Sequence, residues 1–418
     1  MALGRRLAVI VASASVTMFA WGVVLALAPL LTEWPIVPRS YDVYLLVAPP
    51  ASLLAGSFLM GRFTDAFGRR SGFMADMVMF SASIPLILLA RGALDLIAGV
   101  ALAEFSLGGD ETTLLAYLAE EAPKEHRGKL LVGVTNMANV GALTASALAI
   151  LTGLSVSTQR LAFVALLASV VPVIVVTRLM APESFMWLKY RSWEMVTLSR
   201  RDYAVRLYFL ITMAITVVLT YALMALVIGP YLFPRLTDWI IFIYNLGESL
   251  AGFALLPFID STSRRTFPFA AYLGGVVTMA LFIPQYVVAR GSLVAFGSLL
   301  FLNGVFGEMA WAARVVMEPE LFPTRLRATG VGAVRATAYS LYVASVFFTA
   351  SFNNVAYLLY NVGLWAVGLS GASLWLLKGF DTSGRPLGPY LMSWLQPGPA
   401  AASPARQGLI YGLHIIVL

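Results

Sequence analysis

Long apolar runs cover most of this chain, and each is about as long as a helix that crosses a lipid bilayer. Of its 418 residues, 60% are hydrophobic and only 12% are charged, which is too little charge to solvate a soluble protein of this length. A spanning helix needs about 20 mainly apolar residues. The runs are continuous rather than alternating, which excludes a transmembrane β-barrel. The sequence therefore predicts an all-α membrane protein with several spans.

Twelve of these runs are long enough to count as spans. The predicted spans are residues 7–31, 42–60, 71–90, 94–119, 129–153, 160–181, 206–230, 237–259, 267–289, 292–316, 328–352 and 354–377. An even number of spans places both termini on the same side of the membrane. Most Lys and Arg residues lie in the termini and in the turns after even-numbered spans. Cytoplasmic loops carry such an excess, so both termini are predicted to face the cytoplasm from the cytoplasmic membrane of the cell.

A charged turn occurs once in each half of the chain. The two copies contain Asp65, Arg69 and Arg70 in the first half, and Asp260, Arg264 and Arg265 in the second. Each copy precedes another basic turn, at Arg127 and at Arg327. Parallel repeats of this kind, with a site between them, are one plan of membrane carriers. The predicted parts are an N-terminal six-helix bundle (1–181), a cytoplasmic linker (182–205), a C-terminal six-helix bundle (206–377) and a cytoplasmic tail (378–418).

Five short motifs lie at the predicted cytoplasmic turns. They are Gly61-x-x-x-Asp65-x-x-Gly68-Arg69-Arg70, Tyr117-x-Ala119-Glu120-x-x-Pro123-x-x-x-Arg127-Gly128, Pro182-Glu183-Ser184, Glu320-x-Phe322-Pro323-x-x-x-Arg327 and Gly379-x-Asp381-Thr382-x-Gly384-Arg385. In this order they resemble the motifs of the major facilitator superfamily, and within it the sugar-porter-like branch. The resemblance implies twelve transmembrane helices in two pseudo-symmetric six-helix bundles. It also implies a secondary active transporter that works by alternating access.

Other positions depart from the sugar-porter pattern. Residues 19–22 of span one contain no acid, although many sugar symporters couple to protons through an acid in this region. Span seven lacks the paired glutamines typical of sugar binding. Residues 108–110, Gly-Gly-Asp, are similar to span four of phosphate and organic-acid porters. We therefore expect the solute to be a small polar organic molecule, namely a sugar, a polyol or an organic acid.

Several acidic residues lie inside predicted spans, where an ionised side chain costs about 2.5–3.5 kcal/mol on insertion scales. Span four carries Glu104, Asp110 and Glu111, and no basic partner is predicted for them within their own half. At about 100° per residue, Glu104 and Glu111 share one face of the helix, whereas Asp110 points elsewhere. Such carboxyl groups can take up and release protons. The candidates for proton coupling are Asp110, Glu111, Glu104 and Glu308.

Embedded charges also have a structural alternative, which is pairing with one another. Glu308 and Arg335 can form such a pair within the second half. Asp76 and Arg314 are expected near the cytoplasmic ends of their spans, from which long side chains reach the headgroups.

Polar and aromatic side chains of the spans are candidates for contact with the solute, through hydrogen bonds or stacking. These residues are Asn136, Asn139, Tyr221, Asn245, Glu248, Asn303, Trp311 and Arg335. Each has an alternative as a contact between helices, because amides and hydroxyls in membranes bond to neighbouring helices.

The family resemblance also implies a cytoplasmic gate. Its predicted residues are Gly61, Asp65, Gly68, Arg69, Arg70, Glu120, Arg127, Asp260, Arg264, Arg265, Glu320 and Arg327. Asp65 and Asp260 are expected against helix N-termini or arginines of the neighbouring bundle. Crossed pairs, Glu120 with Arg327 or Glu320 with Arg127, are expected to hold the cytoplasmic side closed. The alternative is a solvated loop that only sets the topology.

Some chemistries are missing from the sequence. It contains no phosphate-binding Gly-x-x-x-x-Gly-Lys-Ser/Thr loop, no metal-ligand spacing and no nucleophile with a base, so we predict neither an enzyme nor a cofactor. The expected partners are a small-molecule solute, protons and the lipid bilayer, with no nucleic acid, and the expected state is a monomer. Two alternatives remain open: a passive uniporter, because span one lacks an acid, and an exporter of organic cations or drugs, because embedded acids exceed embedded bases.

Overall fold

The computed structural model describes residues 2–32, 34, 36–152, 156–191, 200–228, 233–289 and 292–387. All regular elements in these ranges are helices. The long helices are α1 (Ala2–Leu31), α2 (Asp42–Phe67), α3 (Arg69–Leu88), α4 (Ala93–Glu121), α5 (Arg127–Thr135 and Met137–Thr152), α6 (Val156–Met180), α7 (Arg200–Tyr221), α8 (Thr237–Leu255), α9 (Thr266–Val288), α10 (Leu293–Leu321), α11 (Arg327–Thr349) and α12 (Asn354–Lys378). They correspond one by one to the twelve predicted spans.

Ten of the described helices are long and apolar enough to cross a membrane. The other two long helices, α4 and α8, carry the embedded acids Glu104, Asp110, Glu111 and Glu248, which lower their hydropathy. These acids are buried inside the protein, so they do not expose charge to lipid. The predicted all-α fold of twelve membrane helices in two six-helix bundles is confirmed.

The two bundles meet along two long helix pairs. Helix α2 packs along α11, and α5 packs along α8. Small residues allow the close approach: Gly61 lies against the backbone carbonyl of Ala328, and Gly332 against that of Ser57. A side chain at either glycine would collide with the facing helix, as expected of small residues at membrane helix interfaces.

The first charged turn is shorter than expected. Helix α2 continues to Phe67 and α3 begins at Arg69, so Gly68 alone separates them. Gly68 has a φ of 107°, a conformation that residues with a Cβ rarely adopt. The charged side chains of this motif therefore stand on rigid helix ends rather than on a loop.

Several short elements connect the long helices. A helix of six residues, Phe185–Tyr190, follows α6, and its N-terminus is capped by Ser184, which accepts a hydrogen bond from the Trp187 amide at 3.1 Å. A π-helical segment, Ala222–Val227, follows α7. Residues 192–199 of the predicted linker and the tail after residue 387 lie outside the described residues.

Candidate functional site

A small cavity lies between the two bundles. Its volume is about 50 Å³, which is room for a few water molecules. The lining residues are Trp21, Leu25, Pro50, Ala138, Asn139, Val217, Val218, Thr220, Tyr221, Ala222, Tyr244, Glu248, Gly307, Trp311, Tyr339 and Tyr342. Both bundles contribute lining residues, so the cavity lies at the interface between them.

Six aromatic side chains line the cavity. Trp21 of α1 stacks on Trp311 of α10, with ring centroids 5.7 Å apart and an angle of 27° between the rings. Tyr221 meets Tyr244 edge to face at 5.7 Å. Tyr221 ends α7, and the π-helical segment begins with the next residue, Ala222. Short π-helical segments are often found at functional sites.

Four of the predicted solute contacts line this cavity: Asn139, Tyr221, Glu248 and Trp311. Asn139 also reaches a predicted coupling residue, because its Nδ2 donates to Glu308 Oε2 at 2.6 Å. Glu248 Oε2 and Glu308 Oε1 are buried and have no hydrogen-bond partner among the described residues. The carboxyl group of Glu308 thus meets an amide of α5, and the carboxyl group of Glu248 lines the same cavity as that amide.

The other predicted solute contacts are occupied within the protein. Asn136 Nδ2 donates to the Ser249 carbonyl at 3.0 Å and so joins α5 to α8. Asn245 donates to the Ile241 carbonyl within α8 at 2.8 Å. Asn303 donates to Thr278 Oγ1 at 3.0 Å between α10 and α9 and does not line the cavity. A buried side-chain amide donates its hydrogen bonds to acceptors that lie close to it in the folded protein. The periodicity of a single helix does not show which acceptors these are.

Two of the three acids of α4 have arginine partners, which corrects the sequence-based expectation. Asp110 Oδ1 lies 2.7 Å from Arg178 Nη2 of α6, in the same bundle. Arg178 is fully buried, with only 1% of the residue exposed. Glu111 pairs across the bundle interface with Arg314 Nη2 at 2.9 Å. Glu104, the third acid, accepts a hydrogen bond from Trp21 Nε1 at 3.3 Å.

The expected pair between Glu308 and Arg335 is wrong. Arg335 of α11 instead pairs with Glu111 and donates to the Gly108 carbonyl at 3.3 Å. Asp76 and Arg314, which were expected to reach the headgroups, are also buried, with exposures of 2% and 0%. Arginine finds its counter-ions on neighbouring helices, and a buried pair avoids the cost of an isolated charge.

Charged residues join the two bundles at the end of the molecule that was predicted to be cytoplasmic, here called the gate side. The N-side cluster consists of Asp65, Arg69, Glu120 and Arg327. Arg69 Nη2 lies 2.8 Å from Glu120 Oε1, and Arg327 of the other bundle lies 2.7 Å from the same oxygen. Asp65 accepts from the Thr329 amide of α11 at 2.7 Å. A carboxylate at a helix N-terminus is favoured by the unpaired amides and by the helix dipole.

The second half repeats this arrangement in the C-side cluster, which consists of Asp260, Arg264, Glu320 and Arg127. Arg264 Nε lies 3.6 Å from Glu320 Oε2, and Arg127 of the other bundle lies 3.5 Å from Glu320 Oε1. Asp260 accepts from the Gly128 amide at 2.7 Å, at the start of α5. Both crossed pairs and both aspartate contacts are therefore present together.

Two other predicted gate arginines stay within their own bundle. Arg70 Nη2 donates to the Leu179 carbonyl near the end of α6 at 3.3 Å. Arg265 Nη2 donates to the Leu376 carbonyl near the end of α12 at 2.5 Å. Basic side chains commonly satisfy the last carbonyls of helices in this way. They tie neighbouring helices together rather than bridging the bundles.

Sequence reasoning missed four residues that support the clusters. Ser184 Oγ donates to Glu120 at 2.6 Å, and Thr382 Oγ1 donates to Glu320 at 2.5 Å. Glu183 accepts from the Arg69 amide at 2.8 Å, and Asp381 accepts from the Arg264 amide at 3.2 Å. All four lie in motifs that follow α6 or α12, where the residue order alone gave them no role. The sequence feature that could have identified these residues is their position directly after α6 and α12, which are corresponding helices of the two halves.

Comparisons with known proteins agree with this fold. The family model of sugar (and other) transporters matches residues 43–194. The chain is 26% identical to the minor myo-inositol transporter IolF of Bacillus subtilis (strain 168), over 69% of each protein. It is 32% identical to the facilitated trehalose transporter Tret1 of Polypedilum vanderplanki, over 35% of this chain and 28% of the relative.

Solved structures share the fold at low sequence identity. The proton:xylose symporter XylE bound to 6-bromo-6-deoxy-D-glucose matches with a TM-score of 0.72 at 15% identity, over 94% of this chain and 100% of that one. The human organic anion transporter MFSD10 matches with a TM-score of 0.65 at 16% identity, over 88% and 99%. By its family-model match and its inositol-transporter relative, this chain is similar to sugar-porter-like transporters of the major facilitator superfamily, and the solved structures share its fold.

Proposed function

We propose that this protein carries a small polar organic solute, a sugar or a polyol, across the membrane by alternating access. The observation that carries the proposal is the pair of charged clusters that join the bundles at the gate side, with a cavity between the same bundles. Contacts that end when two bundles rock apart are what an alternating-access carrier needs at its closed end. The gate side is the cytoplasmic side in this proposal.

The clusters give the closed gate a measurable stability. Glu120 and Glu320 are each almost fully buried and each contacts an arginine of both bundles. Removing one partner of a buried ion pair costs about 3–5 kcal/mol, because the other charge stays buried and unpaired. When the gate of the unsubstituted protein opens, water must enter and solvate all these charged groups together. This requirement makes the transition cooperative.

The cavity wall suits a molecule with both apolar faces and hydroxyl groups. Trp21, Trp311 and Tyr221 offer rings against which an apolar sugar face can pack. Asn139 and Glu248 offer hydrogen-bonding groups at the same level. The present volume is too small for a sugar, so binding requires the helices to separate from their positions here. The names of the inositol, trehalose and xylose transporters support the same solute class.

We also propose that transport is coupled to protons. The chain contains buried carboxyl groups on both sides of the bundle interface, including Asp110 and Glu308. Such groups are expensive in a membrane and usually have a function. A passive uniporter is the second candidate, supported by the absence of acidic residues from α1. Only the response to a proton gradient separates the two.

Counterflow exchange in proteoliposomes tests the carrier function directly. Vesicles loaded with unlabelled myo-inositol are diluted into a trace of labelled myo-inositol, and parallel assays use xylose, trehalose, benzoate and tetraethylammonium. We expect exchange of at least one sugar or polyol, and its loss in Trp311→Ala. The control is Trp239→Ala, because Trp239 is half exposed on the outer face of α8. Exchange of tetraethylammonium alone would contradict the proposed solute class and favour an exporter of organic cations.

A further inference from the structure

Asp76 of α3 is a buried carboxyl group without a partner. Only 2% of the residue is exposed, and neither carboxyl oxygen has a hydrogen bond or an ion pair within the described part of the chain. No side chain could be accommodated at Gly109 of the facing helix α4, because it would collide with Asp76 Oδ1. Burial of an ionised carboxylate without compensation is far more costly than burial of the neutral acid.

Two neighbouring helices present charged groups to this carboxyl group: α4 presents Asp110, and α6 presents Arg178. Met60 of α2, which is apolar, lies beside the same Gly109 of α4. Asp76, Asp110 and Arg178 line the same small internal cavity, together with Thr17 of α1. The cavity lies inside the N-terminal bundle, apart from the cavity between the bundles.

Arg178 is held in a fixed position between these groups. Its Nη2 lies 2.7 Å from Asp110 Oδ1 and donates to Thr17 Oγ1 at 2.8 Å. Its guanidinium lies 3.7 Å from the centre of the Phe73 ring. Its Nε and Nη1 groups have no acceptor among the described residues. The guanidinium therefore pairs with Asp110 and not with Asp76, and the cluster carries one excess negative charge when both carboxyl groups are ionised.

One bound proton neutralises this cluster. We infer that Asp76 and Asp110 form the proton-binding site of the carrier, with Arg178 as their shared counter-ion. The inference rests on the proton-coupled transport proposed above and adds Asp76 to its machinery. A proton from water on one side binds a carboxylate oxygen of Asp76, which leaves Arg178 to Asp110. When the proton returns to water on the other side, the Asp76 carboxylate competes for Arg178.

Helix α4 connects this site to the bundle interface. Asp110 faces Arg178 inside the N-terminal bundle, whereas the next residue, Glu111, faces Arg314 and Arg335 of the other bundle. Consecutive residues of an α-helix point about 100° apart, which is why the two carboxylates face different partners. Because they belong to the same helical turn, they move together. Competition for Arg178 therefore acts on the same turn that pairs with the C-terminal bundle. Proton binding and bundle movement share this segment.

Asp76→Asn tests the inference, because asparagine keeps the shape and the neutral state but cannot exchange a proton. Proteoliposomes receive an inward proton gradient of about one pH unit, which supports about tenfold accumulation of myo-inositol at one proton per solute. We expect the wild type to accumulate the solute and Asp76→Asn to reach only equal concentrations while its counterflow continues. The control is Asp95→Asn, an exposed acid in the first turn of α4, which is expected to behave like the wild type. Gradient-driven accumulation by Asp76→Asn would overturn the inference.

A second measurement does not depend on the solute. Infrared difference spectra during a pH titration of the purified protein report protonated carboxyl groups separately from ionised ones. We expect a protonated carboxyl signal in the wild type and in Asp95→Asn that is absent from Asp76→Asn. An unchanged signal in Asp76→Asn would overturn the proton site. If the signal depends on Asp76 but the wild type exchanges no solute, the site stands and the proposed carrier function fails.

Discussion

The N-side and C-side clusters contain the same kinds of residue in the same arrangement, but their contacts differ in length. In the N-side cluster, Glu120 lies 2.8 Å from Arg69 and 2.7 Å from Arg327. In the C-side cluster, Glu320 lies 3.6 Å from Arg264 and 3.5 Å from Arg127. Short charge-assisted hydrogen bonds are stronger than longer ion pairs. The N-side cluster should therefore contribute more to the closed gate.

The aspartates of the two clusters differ in burial, and again the residue of the N-side cluster is better shielded from water. The Asp65 side chain is 6% exposed, and the Asp260 side chain is 20% exposed. Water and salt screen the more exposed charge more effectively. The repeated motif therefore determines which residues meet, whereas the local packing determines how strongly they interact. Three pairs of substitutions, each at corresponding positions of the two clusters, test this difference.

The position of the gate can be measured with spin labels attached to introduced cysteines. The chain contains no cysteine of its own, so no other site is labelled. Spin labels at Ala66→Cys and Ser261→Cys, both exposed, report the distance between the bundles on the gate side. The fractions of short and long distances then give the free energy difference between the closed and the open gate.

The largest expected effect is that of Glu120→Gln. Loss of this carboxylate leaves Arg69 and Arg327 buried without their common partner, so the closed gate should lose about 3–5 kcal/mol. The label distances should shift from short to long. The control is Glu125→Gln, an exposed acid between α4 and α5. An unchanged distance distribution in Glu120→Gln would remove the N-side cluster from the gate.

Glu320→Gln should have the same kind of effect but a smaller one. Its ion pairs are longer, so the change should cost the closed gate about 3 kcal/mol, the lower end of the range for a broken buried ion pair. The measurement is the same pair of spin labels. An effect equal to or larger than that of Glu120→Gln would reverse the comparison between the clusters.

Asp65→Asn and Asp260→Asn remove charges at the N-termini of α11 and α5. Each should destabilise the closed gate by about 0.3–2 kcal/mol, with the larger loss for the more buried Asp65. Raising the salt concentration should shrink the Asp260→Asn effect more, because that carboxylate is closer to water. Identical salt dependence of both variants would contradict the assigned difference in burial.

The smallest effects are expected from the two hydroxyl groups. Ser184→Ala and Thr382→Val each remove one hydrogen bond to a cluster carboxylate and should cost about 0.5–1.5 kcal/mol. Comparing each variant alone and together with Glu120→Gln or Glu320→Gln shows whether the hydroxyl acts through its carboxylate. Additive effects would mean that the hydroxyl groups stabilise the chain elsewhere.

The sequence predicts the fold well because lipid imposes a strong constraint on helix length and composition. Apolar runs locate all twelve helices, and the repeated motifs locate the residues of both clusters. The ends of the helices are predicted less well than their positions. The sequence predicts a charged turn between α2 and α3, but Gly68 alone separates the two helices. Helix ends depend on local backbone conformation, which an apolar pattern does not contain.

The interior pairs could not be predicted because they depend on which helices become neighbours. Helical periodicity places Asp110 and Glu111 on different faces of α4, but it does not say that one faces Arg178 and the other Arg314. These partners are separated by long stretches of chain and meet only after the bundles pack. Asn303 is a similar case, because its side-chain amide donates a hydrogen bond to Thr278 of the neighbouring helix α9.

Alternating access requires the two ends of the molecule to move in opposite directions, and spin-label distances measure this motion. One label pair is Ala66→Cys with Ser261→Cys on the gate side, and the other is Leu89→Cys with Val288→Cys on the opposite side, all at exposed positions. Both pairs are measured with and without Glu120→Gln combined with Glu320→Gln. Alternating access predicts that these substitutions lengthen the gate-side distance and shorten the opposite one. Lengthening at both ends, or no change at either, would contradict alternating access in this protein.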